Sequence, residues 1–127
     1  MKIVVTGSRD YADEEFLFSV LDKMDASEKI TQLAEGGCRG ADLLAHDWLW
    51  NRREDMSYTY HPDWKTGKAA GPIRNEVMLR EFKPDLVVAF KSTKQSKGTD
   101  DCLRQARELG IKTIEYIGRE LVEHANK

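Results

Sequence analysis

The regular alternation of short, β-branched apolar segments with amphipathic helical segments constrains the fold of this chain more than any other feature. Strands are predicted at residues 2–6, 30–35, 57–61, 85–90 and 112–117. Helices are predicted from about residue 13, over 41–53, from residue 72 and over 99–109. Short connections between them imply a parallel sheet with right-handed crossovers and helices on both faces. The sequence therefore predicts an α/β three-layer sandwich with a parallel sheet of about five strands.

The segment between the third and fourth predicted strands is less regular than the rest. Residues 62–71 are predicted to form a loop, and Pro72 suits the first turn of the helix that follows. This helix is expected to bury one apolar face, which consists of Ile73, Val77, Met78 and Phe82.

The length and composition of the chain limit its class. Its 127 residues suffice for one domain, placed at 2–117, and a short helix or tail is expected over 118–127. The formal net charge of −2 gives no global signature of binding to nucleic acid or membranes. The chain starts directly with a strand, and no apolar run approaches the ~20 residues that span a bilayer. Cys38 and Cys102 form neither a disulfide framework nor a zinc motif. We therefore expect a soluble, cytoplasmic protein without a metal site or cofactor.

Two glycine-rich turns lie where a predicted strand leads into a predicted helix. Residues 36–42 read GGCRGAD, and residues 96–100 read SKGTD. Glycine lets the backbone approach an anion closely, and a helix N-terminus directs unpaired N–H groups and partial positive charge toward it. Thr99 is also the expected N-cap of its helix. Two such turns in a small α/β chain predict a nucleotide or sugar-phosphate site.

Further candidate residues belong to the same edge of the predicted sheet. The loops after the first, second and fourth strands open there, and open parallel sheets bind ligands where the strand order reverses. Ser8 and Arg9 are suited to hydrogen-bonding a phosphate. Arg74 lies near a helix start, where the dipole disfavours a cation unless an anion is bound. Asp42 either stabilises the dipole of its own helix or accepts hydrogen bonds from ribose hydroxyls.

Several motifs occur together in an order that is specific to one family. They are GSRDY (7–11), EGGCRGAD (35–42), HPDW (61–64), GKAAGPIRN (67–75), PDLVVAF (84–90) and GT (98–99). From about residue 2 to 117, the chain thereby resembles the YspA-like, cpYpsA-related branch of the SLOG superfamily, which also includes Smf/DprA and the LOG proteins. The resemblance implies a Rossmann-like fold that binds a nucleotide-derived phosphate ligand, such as ADP-ribose or a related NAD metabolite, in order to sense or process it. It also implies a bacterial or phage protein.

Residues for ligand binding follow from these motifs. Those expected to hold the ligand are Gly7, Ser8, Arg9, Gly36, Gly37, Arg39, Gly40, Asp42, Arg74, Asn75, Gly98 and Thr99. Asp42 and Asp101 are expected to face ribose. Arg39 either pairs with phosphate or lies outside the site and pairs with Asp42.

Two alternative functions remain open. LOG relatives cleave the N-glycosidic bond of nucleoside 5′-monophosphates with a glutamate three positions after the motif threonine, where this chain has Cys102. Asp42 and Asp101 are then the candidate catalytic residues, with Asp100 as a further carboxylate. Smf/DprA binds single-stranded DNA, and the loop lysines support that alternative; they are Lys91, Lys94 and Lys97. The charge balance and the lack of an aromatic ladder make nucleic acid the less favoured partner.

The remaining aromatic and nucleophilic residues are ambiguous. Trp64 either stacks on a base or covers an edge of the core. His61 has no evident catalytic partner and is expected to order its loop, and Cys38 has none that would make it a nucleophile. Trp50 lies off the apolar stripe of its helix and suggests a partner surface, such as that of a homodimer.

Overall fold

The computed structural model describes residues 1–53 and 57–122 of the chain. Its elements in chain order are β1 (Lys2–Gly7), α1 (Glu14–Ser27), β2 (Gln32–Glu35), α2 (Ala41–Arg53), β3 (Ser57–Thr59), α3 (Ala70–Phe82), β4 (Leu86–Lys91), α4 (Lys97–Glu108), β5 (Lys112–Ile117) and β6 (Glu120–Val122). A 3₁₀ segment, Trp64–Ala69, leads into α3. Within the described ranges, no helix combines the length and apolarity needed to cross a membrane.

The described strands form one sheet in the order β3-β2-β1-β4-β5-β6. Strands β1 to β5 are parallel, and β6 runs antiparallel to β5. The chain moves outward from β1 to β3 and then returns to place β4 on the other side of β1. The strand order therefore reverses between β1 and β4, at whose carboxyl ends an open α/β sheet binds ligands. The predicted α/β, Rossmann-like sandwich is confirmed.

The sixth strand corrects the sequence prediction for the C-terminal segment. Residues 118–127 were expected to form a short helix or tail, but 120–122 pair with β5 instead. Gly118 and Arg119 connect the two strands, and Gly118 has a φ of +61° that suits such a tight hairpin turn. Arg119 then donates hydrogen bonds of 2.7 and 2.9 Å to the Asp13 carboxylate at the start of α1. Residues 123–127 lie outside the described residues.

The core has two layers because successive residues of a strand point to opposite faces of the sheet. Val5 and Phe90 pack with α1 and α2, whereas Val4 and Val87 pack with α3 and α4. Every residue of β4 is buried, as expected for a central parallel strand. This buried strand ends at the sheet edge where the strand order reverses, and it fixes the position of the loop that follows it.

Helix α3 differs from the sequence prediction in its start and in its buried face. It begins at Ala70, so that Pro72 occupies its first turn, and the 3₁₀ segment replaces most of the predicted loop. Ile73 and Val77 are 49% and 43% exposed, although both were assigned to the buried face. The helix instead turns Asn75 toward α4, where its Nδ2 donates to the Gly98 carbonyl oxygen at 3.2 Å. Met78 and Phe82 are buried as predicted, but the buried face of α3 also includes the polar Asn75, which apolar spacing alone does not reveal.

Candidate functional site

A cleft of about 430 Å³ lies at the carboxyl ends of β1 and β4. Thr6 and Gly7 line it from the end of β1, and the starts of α2, α3 and α4 line it from the surrounding loops. Its volume lies in the range of small-molecule sites, and its position is the one at which this topology binds ligands. The two loops that the sequence singled out, 36–42 and 96–100, both reach this cleft.

The cleft is electropositive although the chain as a whole has a net charge of −2. Among the described residues, the cations that line it are Arg9, Lys68, Arg74 and Lys97. The carboxylates that line it are Asp42 and Asp101. The N-terminal turns of three helices add partial positive charge. This combination favours an anionic ligand, because both the fixed side-chain charges and the backbone dipoles attract it.

The glycines of the first glycine turn lie behind the wall of the cleft and do not line it. Cys38 and Asp42 face the cleft, whereas the glycines of this turn contact protein groups. Gly40 has a φ of +78°, and a Cβ there would collide with the Ser8 carbonyl oxygen. Gly36 leaves room for the Arg74 guanidinium, which a Cβ would displace. Arg39 is exposed and does not line the cleft, nor do the hydrogen bonds of Asp42 involve it.

Asp42 has a carboxylate that is only half satisfied. Its Oδ2 accepts hydrogen bonds from the backbone N–H groups of Gly36 and Cys38 at 3.1 and 3.3 Å. Its Oδ1 is buried and has no hydrogen-bond partner among the described residues, and the side chain lines the cleft. Burial, followed by the nearby Glu35 carboxylate, raises the pKa of Asp42 to about 7, against the opposing effects of Arg74 and the two N–H groups. This residue can therefore accept or release a proton near neutral pH, and the hydrogen-bonding capacity of Oδ1 is unused among the described residues.

Arg74 connects α3 to the first glycine turn. Its Nη1 donates to the carbonyl oxygens of Gly36 and, at 3.2 Å, of Tyr60, while Nε donates to Asn75 Oδ1 at 2.9 Å. These contacts fix the guanidinium at the wall of the cleft. Asn75 itself is buried and does not line the cleft. Arg74 is thus placed to meet an anion, whereas Asn75 positions its neighbours.

Asp101 lines the cleft with a carboxylate that other side chains already bind. Asn75 and Gln105 donate to Oδ2 at 3.1 and 2.8 Å, and Arg104 donates to Oδ1 at 2.8 Å. Partial burial acts to raise the pKa of Asp101, but these hydrogen bonds outweigh it and hold the pKa below its usual value. Asp101 is therefore an ionised, well-held carboxylate, unlike Asp42.

The second glycine turn brings its backbone to the cleft. Ser96, Lys97, Gly98 and Thr99 all line it. The N-cap of α4 is Ser96, which corrects the assignment of that position to Thr99. Asp100 explains the earlier start, since its carboxylate accepts the Ser96 backbone N–H at 3.3 Å, and Ser96 Oγ donates to Thr99 Oγ1 at 2.9 Å. These two hydrogen bonds fix the start of α4 at the wall of the cleft.

Two neighbouring residues of the loop after β1 have different environments: Ser8 holds the loop in place, whereas Arg9 lines the cleft. Ser8 is buried, and its Oγ accepts the Ser92 backbone N–H at 3.1 Å, so that it joins the loops after β1 and β4. It does not line the cleft. Arg9 does, and its guanidinium lies 5.3 Å from the centre of the Trp64 ring. Trp64 also lines the cleft and is 56% exposed.

Three residues that the sequence analysis singled out do not line the cleft. His61 packs against Gly37 and does not line the cleft. Cys102, which stands where LOG proteins have their glutamate, is buried, and burial raises the pKa of its thiol to about 12. Trp50 is 58% exposed on the outer side of α2 and stacks on His46.

Lys91 is the residue whose environment differs most from the loop position that the sequence suggested. It is buried at the end of β4, and its Nζ donates to Asp100 Oδ1 at 2.6 Å and Glu115 Oε2 at 3.0 Å. Burial acts to lower the pKa of Lys91, but these two carboxylates raise it above its usual value. Lys91 therefore anchors α4 to the sheet and is not available to a nucleic-acid backbone.

Sequence reasoning did not identify Lys68 and Glu35 as contributors to the site. Lys68 lines the cleft from the 3₁₀ segment. Glu35 is buried, accepts the Gly37 backbone N–H at 2.6 Å and raises the pKa of Asp42. The signal for Glu35 was its position directly before a glycine turn. No comparable signal marked Lys68, because its position depends on how the 3₁₀ segment folds against the cleft.

Comparison with known proteins shows which proteins this chain is similar to. Residues 1–67 match the model of a family described as "YspA, cpYpsA-related SLOG family". The chain is also 35% identical over 121 residues to the Gene 61 protein of Mycobacterium phage D29, an alignment that covers 91% of this chain and 95% of that protein. The segment that matches the family model includes Arg9, the whole first glycine turn and Trp64.

Proposed function

The chain belongs to the YspA, cpYpsA-related SLOG family, and on that premise we propose that its cleft binds the phosphate and ribose of a nucleotide-derived ligand, such as ADP-ribose or a related NAD metabolite. Membership of this family supports a nucleotide-related binding or processing role in general. The ligand class is a proposal that depends on the cleft itself.

The observation that carries the proposal is the convergence of cations and helix N-termini on one cleft. Four basic side chains line it, and they come from separate parts of the chain: the β1–α1 loop, the 3₁₀ segment, α3 and α4. The N–H groups at the start of α4 lie among them. Phosphate is the anion that such a combination of guanidinium, ammonium and backbone N–H groups binds best.

The two carboxylates of the cleft suit the sugar between phosphate and base. Asp42 Oδ1, buried and unpartnered among the described residues, accepts a ribose hydroxyl in this proposal. A buried acceptor without a partner is costly, and a hydroxyl donor relieves that cost when the ligand binds. Asp101 contributes its charge while remaining held by its three donors.

Direct binding measurements test the proposal. Calorimetry and ligand-observed proton NMR with AMP, ADP-ribose, NAD and cyclic ADP-ribose are expected to show binding of at least one of them. Arg74→Ala is expected to weaken that binding about 10- to 100-fold, as for a charged hydrogen bond. Arg80→Ala is the matched control, since Arg80 lies on the same helix, pairs with Glu76 and does not line the cleft. If the wild-type protein binds none of the four, or if both variants weaken binding equally, the proposal is wrong.

Hydrolysis of the N-glycosidic bond is a second candidate function, favoured by the free Oδ1 and near-neutral pKa of Asp42. In that reaction a water gives a proton to the Asp42 carboxylate while its oxygen attacks C1′ of the ribose. The C1′–N bond breaks, and its electron pair leaves with the base, which takes a proton from solvent. NMR over hours would detect free base and ribose phosphate, and Asp42→Asn should stop their formation. Binding without products would leave the first proposal in place and exclude this one.

A further inference from the structure

Trp64 is an exposed indole at the mouth of the cleft. It is 56% exposed, although a side chain of this size usually buries most of its surface. Trp48 shows the alternative environment, since it is fully buried and its Nε1 donates to Asp22 Oδ1 at 2.9 Å. Trp64 thus contributes little to the core and presents much of an aromatic surface to the cleft.

The Arg9 side chain lies close to the Trp64 ring. The guanidinium lies 5.3 Å from the ring centre, within the range of a cation–π interaction. The two residues come from different parts of the chain, the loop after β1 and the start of the 3₁₀ segment, and both line the same cleft. An indole and a guanidinium that meet in this way form a flat, polarisable surface beside the phosphate-binding cations.

A flat aromatic base fits this surface better than a sugar or a second phosphate does. Bases stack on tryptophan because each has a π-face, and arginine planes stack in the same manner. Asp42, the proposed ribose contact in the same cleft, is buried whereas Trp64 is exposed, so that a base attached to C1′ would extend from Asp42 toward the exposed indole. Arg9 is then able to contact both the stacked base and the phosphate.

We propose that Trp64, with Arg9, is the base-stacking platform of this cleft, which selects ribosyl phosphates that carry an aromatic base over the bare sugar phosphate. This inference depends on the proposed function, because it concerns the base of a ligand whose phosphate and ribose the cleft is proposed to bind. Trp64 is then the specificity-determining residue. Arg74, Lys68 and Lys97 contact the phosphate alone, and Arg9 contacts both the phosphate and the base.

AMP and ribose 5-phosphate form a matched pair of probes, since they differ only in the base. The wild-type protein is expected to bind AMP more tightly than ribose 5-phosphate. Trp64→Leu should weaken AMP binding about 5- to 150-fold, the range for loss of one stacked base, and leave ribose 5-phosphate binding within about twofold. Trp64→Phe should restore most of the preference because it retains an aromatic face.

Trp50→Leu is the control for removal of an exposed indole. Trp50 is 58% exposed, almost as much as Trp64, but lies on α2 away from the cleft. It should leave the affinities for both probes unchanged. Retained binding of ribose 5-phosphate by Trp64→Leu also shows that this variant is folded.

The remaining outcomes separate the two proposals. If the wild-type protein binds both probes equally, or if Trp64→Leu weakens both to the same extent, the phosphate site stands and the stacking platform is wrong. If the wild-type protein binds neither probe, nor any of the four nucleotides named above, the proposed function fails and the stacking platform fails with it.

Discussion

Asp42 and Arg74 bind the same backbone residue, Gly36, through its two polar groups. Asp42 Oδ2 accepts the Gly36 N–H at 3.1 Å, and Arg74 Nη1 donates to the Gly36 carbonyl oxygen. The backbone of Gly36 thereby fixes the positions of the Asp42 carboxylate and the Arg74 guanidinium relative to each other. The glycine turn is therefore best understood as a frame for these two side chains.

Gly36→Ala is expected to displace Arg74 from the cleft. The added Cβ would overlap the guanidinium and lie 2.9 Å from Asp42 Oδ2. Because a long side chain can move aside, the free energy of unfolding should fall by about 1 to 3 kcal/mol, the value of the one to three Arg74 hydrogen bonds that are lost. Affinity for AMP, measured by calorimetry, should fall about as much as in Arg74→Ala.

A double-mutant cycle provides the control for this prediction. In an Arg74→Ala background, Gly36→Ala should have almost no further effect on affinity, because the group that the Cβ displaces is already absent. Additive losses in the double variant would contradict the assignment and indicate that Gly36 contacts the ligand independently of Arg74.

Stability should depend on pH through Asp42. Its pKa is about 7 in the folded protein against an ordinary value of 3.8, so the folded state binds more protons than the unfolded state between these values. The contribution of Asp42 to stability therefore increases as the pH falls from about 7 to about 4, and is least favourable above pH 7. Asp42→Asn should stabilise the protein by roughly 3 kcal/mol at pH 8 and by much less near pH 4. Urea denaturation at several pH values measures this difference.

Asp101→Asn is the contrasting variant in the same experiment. The pKa of Asp101 is lowered in the folded protein, so its ionised form contributes stability above its unfolded pKa, and that contribution is lost as the pH falls through the folded pKa. Its replacement should destabilise the protein at neutral pH. If both variants change stability in the same direction at pH 8, the difference between the two carboxylates described above is wrong.

The sequence predicted well those parts of the fold that depend on chain order alone. The limits of α2 were predicted in full, and the sheet edge followed from the alternation of strands and helices. These predictions succeeded because parallel βα units bring their strand ends together whatever the details of packing. Arg9, Arg74 and Asp42 were identified as candidate site residues and all three line the cleft, but their contact with a ligand stays a prediction.

The predictions that failed depended on contacts between distant segments. Ile73 and Val77 had the spacing of a buried face, but α3 turns Asn75 toward α4, where it hydrogen-bonds Gly98 and Asp101, and leaves these two residues exposed. Lys91 appeared to be a loop cation because its buried partner, Glu115, lies 24 residues further along the chain. The free oxygen of Asp42 is likewise a property of its surroundings, which a sequence pattern does not contain.

Two neighbouring lysines distinguish local from general electrostatic attraction. Lys97 lines the cleft, whereas Lys94 is exposed outside it. Lys97→Ala should weaken the binding of AMP several-fold and make it less sensitive to salt, while Lys94→Ala should change both much less, because an exposed charge that does not line the cleft is more strongly screened by salt. Calorimetric titrations at about 50 and 200 mM salt make the comparison. Equal losses in the two variants would show that the attraction is a property of the whole surface.

Lys91→Met is expected to be among the more destabilising changes to the sheet. The Lys91 Nζ lies 2.6 Å from Asp100 and 3.0 Å from the buried Glu115 carboxylate, for which Arg107 at 3.7 Å is a weaker partner. Removal of one member of a buried ion pair costs about 3 kcal/mol because the other charge stays buried. Urea denaturation should show this loss at pH 7, and Lys94→Met, which removes an exposed lysine from the same loop, should show almost none. A loss below about 1 kcal/mol in Lys91→Met would mean that Lys91 does not anchor α4 to the sheet.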